Sequence, residues 1–76
     1  MENTGILDST GKSIIKGDVF IHNGKKFYIK YSENQKVLLA KVCNDTGQNW
    51  RSLDWLNNVR KYITVIGNIY ETKTEL

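Results

Sequence analysis

A chain of 76 residues with one cysteine, no proline and a net charge of +3 has room for one small domain, 1–76, without an internal disulfide. No apolar run is long enough to cross a bilayer and no basic-then-apolar leader follows Met1, so the expectation is a cytoplasmic protein with no membrane partner. The charge is uneven: residues 12–61 hold ten Lys/Arg against four Asp/Glu and the two flanks are acidic, a weak pointer to an anionic partner.

Residues 1–5 are polar and are expected to fray, as are 72–76. Ile6 and Leu7 are candidates for packing. Asp8-Ser9-Thr10-Gly11 is a turn signal, because Asp and Ser bond local backbone and Gly accepts positive φ. Ile14 and Ile15 follow, then a second turn at Lys16-Gly17-Asp18. Val19-Phe20-Ile21 reads as a short strand. His22-Asn23-Gly24-Lys25 reads as a hairpin turn of type I′, since Asn and Gly both tolerate φ > 0. In Lys26-Phe27-Tyr28-Ile29-Lys30-Tyr31 the alternation puts Phe27, Ile29 and Tyr31 on a core face and Lys26, Tyr28 and Lys30 on the other.

Ser32-Glu33-Asn34-Gln35 is a tight turn. Residues 36–43 form a third strand that is apolar on both faces and is therefore expected to be central or covered on both sides. Residues 44–49 are a polar loop, and Trp50-Arg51 a short fourth strand. Ser52 suits the N-cap of a short helix within 52–61, with Asp54 at the positive end of its dipole. The most apolar, β-branched segment is 63–71. It predicts the closing strand, with Ile63, Val65, Gly67 and Ile69 facing inward and Gly67 marking a bulge or a close backbone approach. Four or five short strands and one short helix indicate an all-β domain, either a small SH3-like barrel or an open, curled antiparallel sheet with the helix on one face.

Two blocks stand out together: Asp8-Ser9-Thr10-Gly11-Lys12-Ser13-Ile14-Ile15-Lys16-Gly17-Asp18-Val19, and Val65-Ile66-Gly67-Asn68-Ile69-Tyr70-Glu71. A D-x-x-G-K-x-I-x-x-G-D-V opening followed by a V-I-G-N-I-Y-E ending resembles the YopX family of small phage and prophage proteins. The blocks cover about 19 of the 76 residues; residues 25–61 have no match, and the segment ahead of Asp8 is shorter than in many members. The resemblance implies a phage or prophage origin and a β-rich domain, and it brings no activity with it.

Gly11-Lys12-Ser13 is not a phosphate loop. The motif needs a glycine at position 6, where Ile6 stands, and a strand before and a helix after it. His22 and Cys43 are the only residues of their kinds, too few for a metal set or a nucleophile pair. They read as a solvent-facing turn histidine and a buried, inert thiol. Asp18, Asp45 and Asp54 have no paired spacing for acid–base work. The chain thus reads as no enzyme, with no cofactor and no metal.

The aromatics leave one exception to a core role. Tyr28 stands outward between Lys26 and Lys30, an arrangement that stacks bases and holds phosphates; Lys41, Trp50 and Arg51 are candidates to extend it. The alternative is an ordinary solvated strand. Function is therefore expected to be binding by a phage accessory protein. A modulator or inhibitor of a host bacterial protein ranks slightly ahead of a nucleic-acid-binding barrel, and a nucleotide-sequestering oligomer ranks third. The oligomeric state is open.

Overall fold

Asn23 and Gly24 set the register of the main sheet. Both have positive φ, 52° and 77°, as a type I′ turn requires. They join β3 (Asp18–His22) to β4 (Lys25–Ser32), with His22 opposite Lys25. A four-residue loop then leads to β5 (Val37–Val42), and Lys36 takes φ 59° to re-enter the ladder. The Lys36 amide donates to the Ser32 carbonyl at 2.6 Å. The computed structural model describes residues 3–43 and 49–70; the polar loop expected at 44–49 falls outside them except for Asn49, and so does the expected tail.

The remaining elements are β1 (Asn3–Leu7), β2 (Ser13–Ile15), β6 (Trp50–Arg51), α1 (Leu53–Val59), a 3-10 turn (Arg60–Tyr62) and β7 (Val65–Asn68). The main sheet is antiparallel in the order β6-β5-β4-β3-β7, and β1 and β2 form a separate two-stranded sheet. Among the described residues no ladder joins β6 to β7, so the sheet is open. Of the two expected architectures, the curled sheet is the one present and the closed barrel is not. The physical reason lies in the ends: β6 and β7 are two and four residues long, and each pairs on one side only.

One face of the sheet carries the core. Phe20, Phe27, Ile29, Leu38 and Ala40 meet Ile6 and Ile14 from the β1–β2 hairpin, Leu56 from α1, and Ile63. Phe20 and Phe27 stack with centroids 5.3 Å apart, and Trp55 lies 5.2 Å from Phe27. Such ring pairs add about 0.5–1.5 kcal/mol each beyond burial. Ser52 caps α1 as expected, its hydroxyl accepting from the Trp55 amide at 3.3 Å. The helix is seven residues long, too short to persist without the packing of Leu53, Trp55 and Leu56.

Three expectations are corrected. Residues 3–5, expected at a frayed end, are placed in β1. Asn3 and Gly5 disfavour a strand and only Thr4 suits one; local side chains satisfy an irregular ladder. The Gly5 amide donates to Asn3 Oδ1 at 2.7 Å, the Ile6 amide to Thr4 Oγ1 at 3.1 Å, and Thr4 Oγ1 to the Ile14 carbonyl at 2.7 Å.

The inward face of the last strand is also different. Phe20 pairs with Val65 and Val19 with Gly67, so Ile66 is an extra residue, as the expected bulge requires. The bulge reverses the alternation. Asn68 points inward and is buried, whereas Ile69 is 42% exposed. Gly67 is not held by a close approach on its side-chain position, since a Cβ built there meets nothing within 4 Å. Finally, His22 is half-buried rather than solvent-facing. Its ring stands edge-on to Trp55 at 5.3 Å.

Candidate functional site

The two sequence blocks are brought into contact, and what they build is a buried polar junction. Asp8 follows β1 and is 2% exposed. Its Oδ1 accepts from the Thr10 amide (2.9 Å), the Thr10 hydroxyl (2.7 Å) and the Lys12 amide (3.0 Å), and its Oδ2 from the Val65 amide at 3.0 Å. Burial alone raises the pKa of this carboxyl, but the bonds from Val65, Thr10 and Lys12 outweigh it and hold the group at about 2 instead of 3.8. Ser9 adds a second link: its amide donates to the Ile63 carbonyl at 2.8 Å, and its hydroxyl lies 2.8 Å from that of Thr64.

The second half of the junction is Asp18 with Asn68, 1% and 4% exposed. Asn68 Nδ2 donates to Asp18 Oδ1 at 2.8 Å and to the Lys16 carbonyl at 3.1 Å; Asp18 Oδ2 accepts from the Ile15 amide at 2.9 Å. These carboxylates occupy their acceptor sites with protein donors and face the interior, so they hold the fold and offer no acid or base to a substrate. Gly11-Lys12-Ser13 lies in the turn entering β2 and supplies an amide to Asp8.

The opposite face of the sheet is a different surface. Residues directly opposed across an antiparallel ladder share a face. Val19 opposes Tyr28, Tyr28 opposes Lys41, and Lys41 opposes Trp50. Tyr28, Lys41 and Trp50 thus form one row across β4, β5 and β6. Lys26 and Lys30 flank Tyr28 on the same side of β4, opposite Ile21 and Leu39. Five of the six candidate binding residues are therefore brought together. None of the described strand residues that register places on this face is Asp or Glu. Tyr28, Lys41 and Trp50 are half-buried, and Lys26 and Lys30 are exposed.

Arg51 is the candidate that is not brought to this face. It opposes Ala40 on the core side, and its guanidinium lies 6.0 Å from the centroid of the Trp55 ring. One backbone step from Trp50 is enough to turn it over the edge of the sheet.

The structure adds residues that no spacing in the chain indicates. A cleft of about 270 Å³ beside Tyr28 and Lys30 is also lined by Lys16, Tyr31, Glu33 and Tyr70. Lys16 and Tyr70 belong to the two terminal blocks, and their meeting depends on the Gly17–Asn68 contact rather than on any local pattern. Among the described residues no group of three or more His, Cys, Asp and Glu is placed to hold a metal, and no helix is long and apolar enough to cross a membrane. Burial pushes the Cys43 thiol up, against a smaller opposing pull from Lys26, which lowers its thiolate content and its reactivity.

No curated protein and no solved structure matches the chain. The family model described as YopX protein matches residues 1–76, the whole length, including the middle that the two sequence blocks leave unmatched. With its signature blocks joined at one buried junction and its full length covered, this chain belongs to the YopX family.

Proposed function

We propose that this YopX-family chain is a non-catalytic phage accessory protein that binds single-stranded nucleic acid on the face of its sheet opposite the main core. One observation carries the reading: Tyr28, Lys41 and Trp50 stand in a row, Lys26 and Lys30 flank it, and no described strand carboxylate shares the face. Aromatic rings on an exposed sheet accept unpaired bases of any identity, and lysines between them follow the backbone phosphates. The polar groups most suited to catalysis, Asp8 and Asp18, are consumed by the fold.

The test is binding of a labelled single strand followed by anisotropy over a range of salt. Affinity should fall steeply as salt rises, and replacing Lys26 and Lys30 with alanine should reduce the logarithmic slope by roughly 0.7 for each phosphate no longer neutralised. Tyr28→Ala should weaken binding by about 1–3 kcal/mol with the slope nearly unchanged, because stacking releases no counterions. Background binding at low salt sinks the proposal.

A second reading, modulation of a host bacterial protein in the host cytoplasm, draws on a different observation. Ile21 and Val37 are 49% and 46% exposed on the same face, and apolar anchors of that kind suit a protein partner. That reading expects no binding to random strands, and a partner from nuclease-treated lysate that no longer binds when Ile21 or Val37 is replaced by aspartate.

A further inference from the structure

The cleft beside the row is built by the same contacts that join the terminal blocks. Gly17 has φ +90°, and a Cβ there would lie 2.5 and 2.6 Å from ring atoms of Tyr70. The Tyr70 ring therefore rests directly on the Gly17 backbone, where any other residue would displace it. Asn68 locks both sides of this wall: its Oδ1 accepts from the Tyr70 amide at 2.8 Å, and its Nδ2 donates to the Lys16 carbonyl at 3.1 Å. The Ile69 amide adds a bond to the Gly17 carbonyl at 2.9 Å. Lys16 and Tyr70 are thus held beside Tyr28, Lys30, Tyr31 and Glu33 by a buried polar lattice, not by a loop that would have to order on binding.

We propose that this cleft is a seat for one nucleotide unit. Two lysines, Lys16 and Lys30, line the cleft against one acid, Glu33, so its charge favours an anion. Tyr28, Tyr31 and Tyr70 are among the lining residues, and a tyrosine ring is a group on which a base can stack. Glu33 can accept only from N–H or O–H donors, and an exocyclic amine of a base offers one where an ionised phosphate does not. The volume of about 270 Å³ lies just below the roughly 300–1,000 Å³ of sites for larger ligands, which limits the occupant to a single unit. The inference rests on the reading of the sheet face in one respect: Tyr28 and Lys30 belong to both surfaces. The unit can come from a free mononucleotide or from one residue of a strand crossing the sheet.

Amide NMR titrations of the full chain separate these cases. The probes are adenosine 5′-monophosphate, adenosine, inorganic phosphate and a single-stranded octanucleotide. The monophosphate should shift Lys16, Gly17, Glu33 and Tyr70 saturably and leave Lys41 and Trp50 in place; the octanucleotide should shift both sets. Lys16→Ala should weaken the monophosphate about tenfold, the worth of one charge-assisted bond, and leave adenosine unchanged; Lys30→Gln should act in the same direction. If the octanucleotide moves Lys41 and Trp50 but no probe moves Lys16 and Tyr70, the nucleotide seat is overturned and the sheet-face reading stands. If the monophosphate binds in the cleft and the octanucleotide does not bind, the seat stands for free nucleotides and the sheet-face reading falls. Equal affinity for inorganic phosphate and the monophosphate would reduce the cleft to an anion site and overturn the assignment, and silence from every probe overturns both readings.

Discussion

The junction of the two terminal blocks and the face of the sheet opposite the main core treat polar groups in opposite ways. At the junction, Asp8, Asp18 and Asn68 are buried and bonded to protein partners. On the sheet face, Lys26 and Lys30 reach solvent around a half-buried tyrosine. A buried carboxylate with its donors supplied is costly to disturb and offers nothing to a ligand. An exposed lysine contributes little to the fold and is available to one. The residues that carry the family likeness are therefore mainly those that close the fold, while the proposed contacts on the sheet face come from the middle of the chain; Lys16 and Tyr70, at the cleft, are the two that belong to the blocks and to a proposed contact alike.

The sharpest way to break that contrast is Asp8→Ala. It orphans amide donors of Thr10, Lys12 and Val65 together. At about 1–3 kcal/mol for each unsatisfied donor, partly relieved by water, the loss should be about 3–5 kcal/mol. That equals the whole stability expected of a domain this small, roughly 3–5 kcal/mol, so the variant should be largely unfolded by circular dichroism at room temperature. The same carboxylate sets an acid limit. Its pKa is depressed in the folded state, from 3.8 to about 2. Its contribution is therefore present above the unfolded value of 3.8 and is lost as pH falls from there towards 2. A thermal midpoint that stays level across that window would show that Asp8 is not the clasp.

Gly17→Ala comes next. It combines positive φ with a Cβ 2.5 Å from the Tyr70 ring, and a cost of about 1–3 kcal/mol is expected. The same change at Gly24, where φ is +77° but no atom lies within 4 Å, should cost less, the backbone term alone. Equal losses in thermal melts would mean that Tyr70 yields freely and that the cleft wall is not rigid.

Ile69→Ala should have the smallest effect. The side chain is 42% exposed beyond the end of β7, and substitutions at such positions usually stay near ±0.5 kcal/mol, roughly. Ile63→Ala, at a fully buried position, should instead cost about 2–5 kcal/mol. A melt in which the two variants fall together would restore the inward face that simple alternation gives the last strand.

The hairpin at Asn23-Gly24, the two-faced pattern of 26–31, the cap at Ser52 and the burial of Phe20 and Phe27 were legible in the sequence. Each depends on a local rule: positive φ, a period of two, a hydroxyl before a helix, apolar area. The outward set Lys26, Tyr28 and Lys30 was legible for the same reason. Pairing was not. That Lys41 and Trp50 join Tyr28 while Arg51 turns to Trp55 follows from the β4–β5–β6 register, which two loops and a shared core determine. The bulge at Ile66 reversed the last strand, moving Asn68 inside and Ile69 outside, and the shifted ladder gives the buried Asp18 its donor. Local chemistry thus marked the turns, the helix cap and most of the strands, though the seven-residue helix and the start of β1 also need tertiary partners. Tertiary packing decided which ends meet, which faces stay open and where Lys16 and Tyr70 come together, because those depend on contacts between residues that no spacing along the chain connects.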